Sequence, residues 1–193
     1  MNTILTAART SRAAVALLAL TGAPSIAQEA APAAPATTAP AEKPKPLSAG
    51  DKKFIKDVSK SFYFEMQLAS SAKTNGNSEA TKKFAEQVNK ELLKGWEELG
   101  VIAKEKGEMM PAELSGGDKG SAERVKKAKG DGFDKLFFRE ILKEAKGVER
   151  DFESAAKSAT DPALKQFATN YLAIVKGHVT DGDKAEKEST KKK

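Results

Sequence analysis

The sequence predicts an all-α protein: a four-helix bundle with a long, partly helical connection between the second and third helices. Three observations point there. Four stretches of about 20–28 residues repeat apolar side chains at steps of three and four, the spacing of one helix face. No stretch alternates apolar and polar residues long enough to make a strand. Aromatic residues make up only 6% of the chain and Val and Ile are few, which argues against a β sandwich or barrel. A length of 193 residues suits one domain of ordinary size with tails.

The first helix opens at Ser48-Ala-Gly-Asp51, a capping-box-like start with Asp where Glu is usual. Phe54, Val58, Phe62, Ala69 and Ala72 then share one face. Thr74-Asn-Gly-Asn77 breaks the run, and Ser78 can cap a second helix with the stripe Phe84, Val88, Leu92, Leu99 and Ile102. Gly107 through Gly132 reads as a glycine-rich connection containing Pro111, with a short helix around Lys119 to Lys129. The third long helix carries Phe133, Leu136, Phe137, Ile141, Val148 and Phe152. Asp161-Pro162 starts the fourth, because Asp caps well and Pro suits the first helical position. Its stripe is Leu164, Phe167, Tyr171, Leu172, Val175 and Val179. The two helix pairs share an organisation that suggests an internal duplication. The bundle is expected over 48–180, and 181–193, ending K-E-S-T-K-K-K, reads as a polar, Lys-rich tail that frays.

Ahead of the bundle lie two segments of different character. Met1 to Arg12 holds Arg9 and Arg12 and no acid, and Ala13 to Leu20 is apolar. Gly22-Ala-Pro24 breaks that run, and Ser25-Ile26-Ala27 places small residues where signal peptidase reads. This is the pattern of a secretory signal over 1–27, with cleavage between Ala27 and Gln28 and a periplasmic or secreted product. Its apolar run is far shorter than the ~20 residues a membrane span needs, so no transmembrane span is expected after cleavage. Residues 28–47 are rich in Ala and Pro, with prolines at 32, 35, 40, 44 and 46. Such a stretch cannot form a packed core and is expected as a disordered, extended linker.

Composition excludes several chemistries. The chain has no cysteine, which removes disulfide scaffolds, thiolate zinc sites, iron–sulfur clusters and cysteine nucleophiles. A single histidine forbids a three-histidine metal centre within one chain. No Ser or Thr neighbours it in a nucleophile–base motif, so no enzymatic activity is expected. The charge is +6, from 33 Lys+Arg against 27 Asp+Glu, but acids are interspersed with the lysines in every helix. That mixture supports exposed helices rather than a single-sign groove, so nucleic acid is not an expected partner. A basic exported chain could instead touch an anionic surface or an envelope protein.

Polar residues that interrupt the apolar stripes are the candidate site. Glu65 lies three after Phe62 and seven after Val58, pointing toward the buried face of its helix. Glu91 follows Val88 by three, Glu144 follows Ile141 by three, and His178 follows Val175 by three. One polar group near the middle of each helix is the layout by which bundles build carboxylate-bridged metal sites. Buried carboxylates without partners are costly, so burial asks for a partner or a metal. Glu91 and Glu144 also suit the stripe edge, where they would extend into solvent, and His178 could pair with Glu65 with no metal present.

Glu65-x-x-Leu68-Ala69, then Phe84-Ala85, Phe133-Asp134, Asp161-Pro162-x-Leu164-x-x-Phe167-Ala168 and Leu172 ahead of His178 resemble one family. The order and spacing are similar to those of the exported, ferritin-like family known as domain of unknown function 4142. The resemblance runs from about Asp51 to His178 and implies a ferritin-like bundle. In that family the second helix usually has Asp-His where Glu91-Leu92 stands here, and the third a His where Ala145 stands. Its fourth has Leu-Pro and then His, where Leu172-Ala173 and His178 stand. The glutamate of helix one and the histidine of helix four match; the two middle histidines are lost. A ferritin-like dinuclear centre needs Glu-x-x-His on two helices, and none exists here. The expectation is therefore a non-enzymatic interaction or stress-related protein of the bacterial envelope with a degenerate ferritin-like site and no cofactor. The alternative is a metal-binding or metal-storage protein holding iron, zinc or manganese on Glu65 and His178 with Glu91 and Glu144.

Overall fold

A computed structural model describes residues 46–114 and 116–191. The expected secretory leader and nearly all of the Ala/Pro-rich segment lie outside the described residues. Among the described residues there are five helices and no strand.

α1 spans Ala49–Asn75, and the Ser48 side chain caps it by accepting the Asp51 N–H at 3.1 Å. α2 spans Glu79–Glu105 and is capped by Ser78, whose hydroxyl accepts the Thr81 N–H at 3.0 Å. Both caps satisfy N–H groups that a helix start leaves without intrahelical partners. α3 is short, Gly116–Lys127, slightly earlier than the Lys119–Lys129 span expected from sequence. α4 spans Gly130–Ser158, starting ahead of the expected end of the connection at Gly132. α5 spans Pro162–Ser189, with Pro in the first turn and Asp161 accepting the N–H groups of Ala163 and Leu164.

Two expectations change. The capping box at Ser48 forms only in part: the Asp51 carboxylate accepts the N–H groups of Thr160 and Asp161, each at 3.1 Å, and the Thr160 hydroxyl. It ties the start of α1 to the α4–α5 turn. Residues 181–189, expected to fray, continue α5 as helix. Tertiary contact explains the difference, because Gly182 and Ala185 are buried. A Cβ at Gly182 would stand 2.5 Å from Leu142 Cδ2 and 2.9 Å from Phe84 Cζ, so glycine allows a close approach between helices there.

The packing order follows from these ties. α1 packs against α2 and α4, and α5 packs against α2 and α4, while α3 lies on α1 and α4. Short turns run each hairpin back on itself. Asp134, near the start of α4, accepts the N–H groups of Asn77 and Ser78 at 2.9 Å, reciprocating the Asp51 clamp at the opposite end. Each hairpin therefore holds the other's turn with an aspartate from its own first helix. Apolar stripes converge on a core rich in aromatic rings, with Phe62, Phe133, Phe137, Phe138, Phe152 and Phe167 all fully buried. Leu136, Leu172 and Val179 sit half-buried at the flanks, whereas Phe138 and Leu142 turn inward.

Candidate functional site

Glu65, Glu91, Glu144 and His178 all sit near the middle of long helices. The fold does not bring them to one point; it sorts them by seam.

On the α1–α4 seam, the Ser61 hydroxyl donates to Glu144 Oε1 at 2.5 Å. Ser61 precedes Glu65 by one helical turn, so both lie on the same flank of α1. Glu65 is only 1% exposed, and its Oε2 has no hydrogen-bond partner. Burial holds its carboxyl well above the usual carboxylate range, and the negative charge of Glu144 adds to the effect. Burial thus favours the protonated form of Glu65, which costs less than burying an unpaired charge.

On the α2–α5 seam, His178 Nε2 lies 2.7 Å from Glu91 Oε2. Burial lowers the His178 pKa, and the Glu91 carboxylate opposes that shift only in part. A neutral ring facing a carboxylate must carry its proton on Nε2 and donate it. The Tyr171 hydroxyl donates to the backbone carbonyl of the same Glu91. Desolvation pushes that phenol up to about 12, so it remains a donor. Room for the ring comes from Gly95, where a Cβ would stand 2.6 Å from Tyr171 Cζ.

The sequence expectation of a Glu65–His178 pair is corrected: the histidine's partner is Glu91. Glu91 and Glu144 do occupy the stripe edge, half-buried, yet neither extends freely into solvent. Sequence reasoning missed Ser61 and read Tyr171 only as part of the apolar stripe. Their signals were present, since Ser61 stands four before Glu65 and Tyr171 seven before His178, both on the same helix faces.

The residues do not fit a ferritin-like dinuclear centre. Leu92 and Ala145, where the resemblance leads one to expect histidines, are buried apolar side chains in the interior. Among the described residues no group of three or more His, Asp or Glu is arranged to hold a metal ion. No helix among them is long and apolar enough to cross a membrane. Surface ion pairs such as Lys52–Glu108, Lys146–Asp183 and Lys176–Glu153 scatter both signs over the helices.

Comparison with known proteins adds two findings. The family model described as Domain of unknown function (DUF4142) matches residues 36–184. The chain is similar in fold to the crystal structure of a DUF305 fragment from Deinococcus radiodurans, with a TM-score of 0.67 and 8% identity, covering 75% of this chain and 99% of that one. No curated protein matches.

Proposed function

The chain belongs to the family of domain of unknown function DUF4142, and from that premise we propose that it is an exported, non-enzymatic interaction or stress-related protein of the bacterial envelope. Its architecture, on this reading, is a ferritin-like four-helix bundle, α1, α2, α4 and α5, whose ancestral site has become core. One observation carries the reading: the polar residues separate into hydrogen-bonded pairs on opposite seams, leaving the Glu65 Oε2 without a hydrogen-bond partner. A catalytic metal centre needs several donors converging with open coordination positions. The partner is an envelope protein or an anionic surface, met by the lysine-bearing helix faces. The leader pattern of residues 1–27 supports export.

A second reading, metal binding or storage, is favoured by the unpartnered Glu65 Oε2 beside Glu144, which a cation would relieve. Titration calorimetry with ferrous, zinc and manganous ions decides between them, on tag-free protein purified without chelators. No stoichiometric binding at micromolar affinity is expected. Such binding, abolished by Glu65→Leu, would install the second reading. Intact-mass analysis of envelope-purified protein should find the chain beginning at Gln28, and retention of residues 1–27 would defeat export.

A further inference from the structure

α3 differs from the other helices in how it is held. It has 12 residues, and only Ala122 and Val125 of them are buried. Two apolar side chains, one of them alanine, give a small hydrophobic anchor compared with the 8 to 11 buried positions of the long helices. Its remaining attachments to α1 are polar. Asn75 Nδ2 donates to the Lys126 carbonyl at 2.9 Å and Lys126 Nζ donates to Gln67 Oε1 at 3.1 Å; just beyond the helix, Lys129 at the start of α4 donates from Nζ to Asn75 Oδ1. Partly exposed bonds of this kind exchange with water at little net cost.

Both ends of the segment turn on glycines in the left-handed region. Gly116 at its start has φ 51°, Gly130 after its end has φ 57°, and Gly107 where α2 stops has φ 71°. Glycine crosses between the two signs of φ with little steric penalty, so these positions can absorb a swing of the helix between them.

α3 is held against the flank of α1 that carries Gln67 and Asn75 and that, by helical spacing, borders the candidate site. Gln67 and Asn75, its tethers, share that flank with Phe64, Leu68 and Ser71 by their three- and four-residue spacing. Phe64 and Leu68 are buried although they lie away from the centre of the α1 stripe. Ser61 and Glu65 adjoin them on the side facing α4, where Ser61 bonds Glu144.

We propose that α3 is a hinged cover over the α1–α4 seam, opening as a unit while the four long helices stay packed, and that this opening is the route by which small molecules reach Glu65. This goes beyond the proposed function and holds whether or not the polar residues bind a metal. Native-state opening of a weakly anchored unit well below global unfolding is a general property of such segments.

The absence of cysteine makes the test clean. Ala122→Cys places one thiol under α3, and Ala168→Cys places one in the α5 core, both positions being fully buried. Under native conditions the thiol at 122 is expected to react with a disulfide reagent at least ~10-fold faster than the thiol at 168. Asn75→Ala removes the tether to the Lys126 carbonyl and the Lys129 bond beside it, and should speed the reaction at 122 about fivefold, leaving that at 168 unchanged. Hydrogen exchange on the unmodified chain should show amides 116–127 exchanging together and ahead of the long helices. Dicyclohexylcarbodiimide, which forms a stable acylurea with protonated carboxyls in apolar surroundings, should modify Glu65 faster in Asn75→Ala. Equal thiol reactivity at 122 and 168, or Glu65 modification that ignores Asn75→Ala, would overturn the proposal.

Discussion

Glu65 is the residue whose environment is most at odds with its chemistry. Three residues after Phe62 and three before Leu68, it cannot turn to water without leaving the buried face. The interior offers its Oε2 no donor, so the group keeps its proton. In the unfolded chain it ionises with the ordinary value of 4.5, and in the folded chain well above that. Between those two values the unfolded state holds fewer protons, so this group lowers stability as pH rises. Glu65→Leu should therefore be more stable than the parent at pH 8, by about 1–3 kcal/mol, with a smaller gain near pH 4. Urea denaturation at the two pH values measures it, and a destabilised Glu65→Leu would mean the carboxyl has an interior partner. The sequence showed that Glu65 points inward, because helical periodicity fixes direction. Which group it would meet was not legible, since that depends on the rotation of four helices about their axes.

At the scale of elements, local signals were read directly from the chain. Ser48, Ser78 and Asp161 cap the helices that they precede, because capping needs only a short side chain and N–H groups two or three residues on. The aspartate clamps were hidden, since Asp51 meets residues more than 100 positions away. Burial alone would raise the Asp51 carboxyl, but bonds from Thr160, Ser48 and Asp161 outweigh it and lower the pKa below 3.8. A lowered carboxylate adds stability above its unfolded value and loses it as pH falls through the folded one. Asp51→Asn should cost about 1.5–3 kcal/mol at pH 7, the range for hydrogen bonds to a charged group. The penalty should shrink as the pH falls through the folded-state value, where the parent's carboxylate itself takes up a proton, so pH 7 is compared with an acid pH near 2. Denaturant midpoints at both pH values check this, and an equal loss at each would assign the effect to shape rather than charge. The same distinction explains residues 181–189: their composition is polar, yet Gly182 fits against Leu142 and Phe84 and carries the helix onward.

Over the whole molecule, stability rests on one hydrophobic core in which the aromatic rings gather in two groups, one around Phe137 and one around Phe152. Phe137 stacks on Phe133 with centroids 5.8 Å apart and meets Phe138 and Phe84 edge-on. Because α4 packs against both α1 and α5, a cavity there is felt by both hairpins. Phe137→Ala should cost about 3–5 kcal/mol in denaturant unfolding, as a fully buried ring replaced by a methyl. A loss below ~1 kcal/mol would contradict the burial of this face.

The sequence by itself determined the all-helical class, the order of the helices, their caps and the inward direction of Glu65 and His178. Those follow from periodicity and from contacts within a turn or two of the chain. Only the tertiary structure decided that His178 belongs to Glu91, that Glu65 is left alone beside Ser61 and Glu144, and that α5 runs on to Ser189. Each of these depends on which seam a side chain enters once helices far apart in sequence pack. Seam assignment is set by the axial rotation and register of whole helices, which here follow from the Asp51 and Asp134 clamps and the close approaches at Gly95 and Gly182.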